Sequence, residues 1–151
     1  MPITREQVIA VARSWVGTPF MHQGRVKGKA CDCVGLPVMI AKELGVRSRT
    51  KEDGDLDDGG NYTHEPEGTV VLDAARRHLF EKPAAEMRPG DALVLRMPNR
   101  PCHMAIIGEY NGRLTLIHAY NRIKEEVVEH HIDEYWRRQV VACFRFPGVE
   151  D

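Results

Sequence analysis

Hydrophobic residues recur at helical spacing near the start of the chain. Between residues 4 and 16 the apolar positions return every three or four residues, which predicts an amphipathic helix. Thr4 and Gln7 have the spacing of a capping box, and Gly17 ends the pattern. Residues 20–31 are rich in glycine and lysine without a clear period, so this segment is expected to be a loop.

A second and more apolar run covers residues 33–44, with Asp32 in the N-cap position before it and Gly45 after it. Because hydrophobic residues occur on several sides of this predicted helix, we expect it to be buried. The polar and acidic stretch 47–68 is typical of a surface insertion. Residues 69–80 are amphipathic and predict a third helix.

The pattern changes to that of strands in the second half of the chain. Asn111-Gly112 is a strong hairpin turn signal between two alternating apolar runs. Strands are predicted over 92–95, 103–110, 113–120, 124–131 and 139–146, with a short helical or turn segment over 132–138. Helices followed by strands predict an α+β fold in which the N-terminal helices pack on one antiparallel sheet. The length of 151 residues and the lack of a linker predict a single domain over 1–151.

Composition excludes several classes of function. The net charge is −1, with 28% charged and 42% hydrophobic residues, so a basic surface for nucleic acid is not expected. No apolar run is long enough to cross a membrane, and the charged N-terminus lacks the features of a secretion signal. We therefore expect cytoplasmic synthesis without a signal peptide, and neither nucleic acid nor membrane as partner.

The chain has four cysteines, and a reducing compartment disfavours structural disulfides among them. Cys33 falls in the first turn of the buried helix, where unpaired N–H groups and the helix dipole favour a thiolate and can stabilise an oxyanion. Cys31 precedes the helix and lacks that placement. The alternative is that Cys33 is one more small buried apolar residue.

Two histidines on the predicted hairpin supply the partner that a nucleophilic thiol needs. A turn at Asn111-Gly112 places residue 120 opposite His103, which puts His118 diagonally beside His103 on the same face. A base held by a second polar group is the arrangement found with activated thiols. Ordinary surface or internally bonded histidines remain the alternative at this point. Four other histidines show no partner pattern and are expected at the surface: His64, His78, His130 and His131.

A zinc site is the competing chemical interpretation of the same region. Cys31, Cys33, Cys102 and His103 together have the composition of a Cys3His site. The spacing between the first two cysteines is tighter than is usual for zinc, and Cys102 and His103 are adjacent. We therefore expect no metal and no other cofactor.

The motifs of this chain resemble, in order, those of the NlpC family of bacterial and phage cysteine peptidases, which cut peptidoglycan stem peptides. The matching segments are Gly17-Thr18-Pro19-Phe20, Asp32-Cys33-Val34-Gly35-Leu36, Pro89-Gly90-Asp91, His103-Met104-Ala105-Ile106 and Ile117-His118-Ala119. The resemblance implies a papain-like fold and cleavage of γ-D-glutamyl–diamino acid bonds. The segments His22-Gln23-Gly24-Arg25 and Phe144-Arg145-Phe146 look most like phage-tail members, which implies incorporation into a tail or virion and phage tail proteins as partners.

Carried over by position, the resemblance makes Cys33 the nucleophile, His103 the general base and His118 the residue that orients it. It places Asp32, Phe20, His22 and Gln23 around the substrate. Phe20 departs from the family, which has tyrosine there, and His22 or Gln23 can replace the missing donor. A structural tail-tip domain with little catalysis, or an acyl-transfer enzyme on the same fold, remain the alternatives.

Overall fold

A computed structural model of the chain describes residues 2–56, 69–97, 101–120 and 125–150, and only the backbone of residues 101 and 102. Four α-helices lie in this part of the chain: α1 (Arg5–Ser14), α2 (Gly35–Leu44), α3 (Val70–His78) and α4 (Glu134–Gln139). Eight strands accompany them: β1 (Arg25–Val26), β2 (Ala30–Cys31), β3 (Phe80–Lys82), β4 (Ala92–Arg96), β5 (Pro101–Tyr110), β6 (Arg113–Tyr120), β7 (Glu126–His131) and β8 (Val140–Arg145).

Six of the strands form one antiparallel sheet in the order β3-β8-β4-β5-β6-β7. Strand β8 lies between β3 and β4, although it follows both along the chain. The helices and this sheet confirm the predicted α+β class. The remaining two strands, β1 and β2, pair with each other within the segment 20–31, which was expected to be a loop throughout. Strands of two residues are too short to leave a period in the sequence.

The β5–β6 hairpin has the predicted register. Asn111 and Gly112 both have positive φ, 53° and 74°, as a two-residue type I′ turn requires. Tyr110 pairs with Arg113, and Ile106 pairs with Ile117. The turn therefore fixes which residues of β5 and β6 share a face, including the two histidines.

The capping box of α1 is present as predicted, with the Thr4 side chain accepting from Gln7 N and the Gln7 side chain accepting from Thr4 N. Helix α2 begins two residues later than predicted, at Gly35. The third helix falls within the predicted 69–80. Of the predicted insertion 47–68, residues 57–68 lie outside the described part of the chain.

The sheet has a hydrophobic cluster on each face. Helices α1, α2 and α3 pack on the first, which we call the helix face and which includes Ile106, Ile117 and Phe144. The second, the α4 face, includes Ile107 and Leu116 together with Trp136 of α4. Alternation along the strands assigns each residue of β5 and β6 to one of these faces.

A buried ion network joins α1 to the sheet. The Asp91 carboxylate is fully buried and lies 2.8 Å from Arg5 Nη1 and 2.9 Å from Lys82 Nζ. Gly90 has φ 92°, and a Cβ there would lie 2.9 Å from Arg5 Cβ. The Pro89-Gly90-Asp91 motif therefore serves packing, because it brings a carboxylate under a buried guanidinium.

No helix in the described ranges is long and apolar enough to cross a membrane.

Candidate active site

The Asp32 carboxylate organises the turn that leads into α2. Its Oδ1 accepts from Gly35 N at 2.7 Å and from Arg25 Nη1 at 3.0 Å, and its Oδ2 accepts from Gln23 N at 2.7 Å. The Asp32 carbonyl accepts from Leu36 N at 3.2 Å. Asp32 thus makes the bonds of an N-cap although regular helix starts later, and its side chain is 3% exposed.

Close packing around this turn explains the two glycines that flank it. A Cβ on Gly35 would lie 2.6 Å from Gly24 O and 2.7 Å from Arg25 Nη1. A Cβ on Gly24 would lie 2.7 Å from backbone atoms of Ala30 and Cys31. The Asp-Cys-x-Gly pattern therefore needs glycine because the β1–β2 hairpin presses against the start of α2.

Cys33 lies in this turn and is half-buried, with its side chain packed at the edge of the helix-face cluster. Cys31 and Cys143 are free thiols too, but both are fully buried. Burial raises the pKa of the Cys31 thiol to about 12, and the nearby Asp32 charge adds to the increase. Burial also raises the pKa of Cys143 to about 12. Among the three described thiols, Cys33 is the one with solvent access.

His103 and His118 contact each other directly, as the hairpin register predicted. His103 Nε2 lies 2.7 Å from His118 Nδ1. The two rings are on the α4 face, where Tyr120 stacks on His118 at 5.1 Å between ring centroids and Trp136 meets it edge-on at 5.1 Å. His103 is 6% exposed and His118 is fully buried.

Burial keeps both imidazoles neutral near neutral pH. It lowers the pKa of His103 to about 4, although the Asp32 carboxylate acts in the opposite direction. It lowers the pKa of His118 well below its usual value, and the neighbouring histidines add to this effect. A neutral His103 has one unprotonated ring nitrogen and can accept a proton.

Two observations relate the beginning of β5, which carries His103, to the turn that carries Cys33. The Asp32 charge raises the pKa of His103, so the two groups are close enough to interact. Val34 and Met104, which directly follow Cys33 and His103, line the same small cavity of about 20 Å³. The turn before α2 and the beginning of β5 are therefore neighbours, with Cys33 packed at the edge of the helix-face cluster and the His103 ring on the α4 face.

A third histidine joins the pair and was missed by sequence reasoning, which assigned it to the surface. His130 of β7 is half-buried, and its Nε2 lies 2.8 Å from His118 Nε2. Leu116 pairs with His130 across β6 and β7, so strand alternation puts His130 diagonally next to His118. The sequence carries no turn signal that would have set this register. His78, also assigned to the surface, is buried and bonds Ser48 Oγ at 2.8 Å.

The other predicted substrate-site residues lie around the Asp32 turn. Phe20 is half-buried, its backbone bridges to Cys31, and its N–H donates to Glu125 O at 2.8 Å. His22 is exposed, with Nδ1 3.9 Å from Asp32 Oδ2. Gln23 reaches the turn through its backbone N–H and has φ 59°. The structure thus brings His22 and Gln23 to Asp32 and Phe20 to the preceding Cys31. Of the predicted surface histidines, His64 falls outside the described ranges.

Within the described residues, no group of three or more histidine, cysteine or acidic side chains is arranged to hold a metal ion. The Cys102 side chain, which the alternative zinc interpretation needs, is outside that set.

Several solved structures have the same fold. An NlpC/P60 family protein from Bacillus cereus superposes with a TM-score of 0.66 at 16% identity, covering 97% of this chain and 41% of that one. A lipoprotein-like NLP/P60 family protein from Staphylococcus aureus gives 0.60 at 17% identity, covering 99% and 44%. The NlpC/p60 domain of the peptidoglycan hydrolase SagA gives 0.60 at 18% identity, covering 94% and 98%.

These likenesses confirm the NlpC-type, papain-like fold that the motifs predicted. The chain spans less than half the length of the Bacillus cereus and Staphylococcus aureus proteins. No protein-family model matches the sequence, and no curated protein matches it significantly.

Proposed function

We propose that this chain is a cysteine peptidase that hydrolyses peptide bonds of peptidoglycan, within a single domain over 1–151. Cys33 is the nucleophile, His103 the general base and His118 the residue that orients His103. The observation that carries the proposal is the 2.7 Å bond between two buried neutral histidines beside the Asp32 turn, because this is the arrangement that activates a thiol.

The reaction passes two protons through His103, the first from the thiol to the leaving amine and the second from water to the sulfur. His103 takes the proton of Cys33, and the thiolate attacks the carbonyl carbon of the scissile amide. The carbon–nitrogen bond breaks as the His103 imidazolium gives its proton to the leaving amine, which leaves a thioester. Water then gives a proton to His103 and attacks the thioester, and the acid product leaves as the proton returns to the sulfur.

The proposed substrate is the γ-D-glutamyl–diamino acid bond of the stem peptide. The support is the motif resemblance together with the shared fold of SagA, which is a peptidoglycan hydrolase. The segment His22–Arg25 further favours a tail-associated protein that meets the cell wall as part of a phage particle, with tail proteins as partners. In that setting Asp32 and the residues it binds form one wall of the substrate site.

Digestion of purified peptidoglycan followed by mass spectrometry of the released muropeptides tests the activity and the bond. The chain is expected to release fragments ending at the γ-D-glutamyl position, and Cys33→Ala to release none while keeping its circular dichroism spectrum. Cys143→Ala, which removes a thiol outside the site, is the matched control and should stay active. Unchanged digestion by Cys33→Ala would contradict the proposal.

A structural tail domain with weak catalysis is the second candidate, and Phe20 favours it because phenylalanine has no hydroxyl to donate to an oxyanion. The Phe20→Tyr variant restores that donor, and loss of such a donor costs roughly a hundredfold in rate. A slow enzyme should gain activity on this change, whereas a scaffold should remain inactive. Iodoacetamide should also label Cys33 rapidly at mildly acidic pH in an enzyme, where an unactivated thiol hardly reacts, and only slowly in a scaffold.

A further inference from the structure

The ring nitrogens of three histidines form a continuous hydrogen-bonded chain across β5, β6 and β7. It runs from His103 Nε2 to His118 Nδ1 at 2.7 Å, and from His118 Nε2 to His130 Nε2 at 2.8 Å. At its end, His130 Nδ1 lies 2.9 Å from the carbonyl oxygen of His131. A carbonyl oxygen only accepts, so His130 Nδ1 must donate, and the direction of the chain is set at this end.

The positions of the remaining ring protons follow, because a neutral imidazole has one N–H. With its proton on Nδ1, His130 offers an unprotonated Nε2 and accepts from His118. His118 therefore carries its proton on Nε2 and accepts at Nδ1. His103 must then donate from Nε2, which leaves its Nδ1 unprotonated.

We propose that His130 is a positioning residue that acts through His118 to hold His103 in the tautomer with an unprotonated Nδ1. That nitrogen is the one not bonded to His118, and so the one available to the Cys33 thiol. The catalytic consequence rests on the proposed function, but the tautomer assignment needs only the hydrogen bonds and neutral rings.

The packing around the chain keeps it in one arrangement. The His130 ring lies 4.9 Å from the His118 ring and 5.2 Å from Trp136, centroid to centroid. The Tyr120 ring stacks on His118. Burial also favours the neutral forms of His103 and His118, which a chain with one N–H per ring requires.

Nitrogen-15 NMR of the histidine-labelled chain reads the three tautomers directly, because protonated and unprotonated ring nitrogens resonate far apart. Near neutral pH, His103 and His118 are expected to be protonated at Nε2, and His130 at Nδ1. His118 protonated at Nδ1 would reverse the chain and overturn the proposal.

Two amide substitutions separate positioning from simple packing. Glutamine at position 130 places its amide group near the site of the lost Nε2 and can still accept from His118. Asparagine is one methylene group shorter, so its amide does not reach His118. Thermal unfolding checks that both variants fold.

His130→Asn is expected to give mixed tautomers at His118 and His103. It should slow iodoacetamide labelling of Cys33 by roughly tenfold or more, a part of the 10²–10⁴ that a positioned base contributes. His130→Gln is expected to keep the wild-type tautomers and to label within about twofold of wild type, as rescue by a matching acceptor predicts. If the two variants behave alike, His130 has only a packing role and the proposal fails.

The two proposals can fail separately. If NMR finds the expected tautomers but peptidoglycan is not cleaved, the proposal for the histidine chain is supported and the peptidase proposal is contradicted. If Cys33 is needed for cleavage but His118 has the reversed tautomer, the peptidase proposal is supported and the proposed role of His130 is contradicted.

Discussion

The carboxylate of Asp32 acts on His103 through space. Burial lowers the pKa of the His103 imidazole, and the negative charge of Asp32 raises it. The two residues come from distant parts of the chain, one from the turn before α2 and the other from the beginning of β5. This electrostatic link is independent of the hairpin register that joins His103 to His118.

Replacing Asp32 by asparagine should lower the pKa of His103 further, because the charge is lost while an amide can still cap the turn. NMR titration of the His103 ring measures the shift. Glu81→Gln, which removes an exposed carboxylate paired with Arg76 on the edge strand β3, is the control and should leave the titration unchanged. An unshifted or raised His103 pKa in the Asp32 variant would contradict the interaction.

Acidification should destabilise the protein through His103. The pKa of His103 in the folded state is about 4, below the usual 6.5. At a pH between these two values the unfolded chain therefore binds a proton on His103 that the folded chain does not bind. The free energy of unfolding should drop by about 2 kcal/mol from this residue between pH 7 and pH 5. Urea unfolding at both pH values measures the drop, and His118 adds to it in the same direction.

The control for this prediction is His103→Gln, which does not titrate. The variant should lose less stability than wild type between the two pH values, by about the same 2 kcal/mol. Equal losses in the two proteins would show that His103 does not contribute.

Substituting Gly35 by alanine should destabilise the fold by about 1–3 kcal/mol, because the added methyl group overlaps Gly24 O and the Arg25 guanidinium. The displaced turn should also change how fast Cys33 reacts with iodoacetamide. Urea unfolding and thiol labelling are the two measurements. Gly112→Ala, in the open hairpin turn, should strain the backbone without altering the labelling of Cys33. A fully stable Gly35 variant would mean that the β1–β2 hairpin can move away from the added methyl group.

Removing the Asp91 carboxylate should be among the most damaging single changes. Asp91→Ala leaves Arg5 and Lys82 without their buried counter-charge, and breaking a buried ion pair costs about 3–5 kcal/mol. Urea unfolding measures the loss. Glu134→Ala breaks an exposed pair with Arg138 and should cost at most about 1 kcal/mol. Similar small losses in both variants would show that the buried network contributes little.

Local chemistry made much of this fold predictable. The capping box of α1 and the Asn111-Gly112 turn fix backbone geometry through neighbouring residues, so their patterns are visible in the sequence. The same turn fixed the contact between His103 and His118, because a hairpin transmits its register along both strands.

The features that sequence reasoning missed depend on contacts between distant segments. His130 meets His118 through the pairing of β6 with β7, and the connection over 121–124 carries no turn signal that would set its register. The late start of α2 has a local cause instead, because Pro37 has no N–H to donate to the Cys33 carbonyl and the regular helical hydrogen bonds begin after that gap. Neither feature follows from the hydrophobic period.

The position of β8 between β3 and β4 has a consequence for biosynthesis. When β3 and β4 have left the ribosome, the strand that must join them has not yet been made, so β3 has no neighbour in the sheet until β8 follows. A premature stop before residue 140 would leave β3 without its hydrogen-bonded neighbour and the helix face without Phe144. Truncated products of this chain should therefore be cleared by proteolysis rather than accumulate as folded fragments.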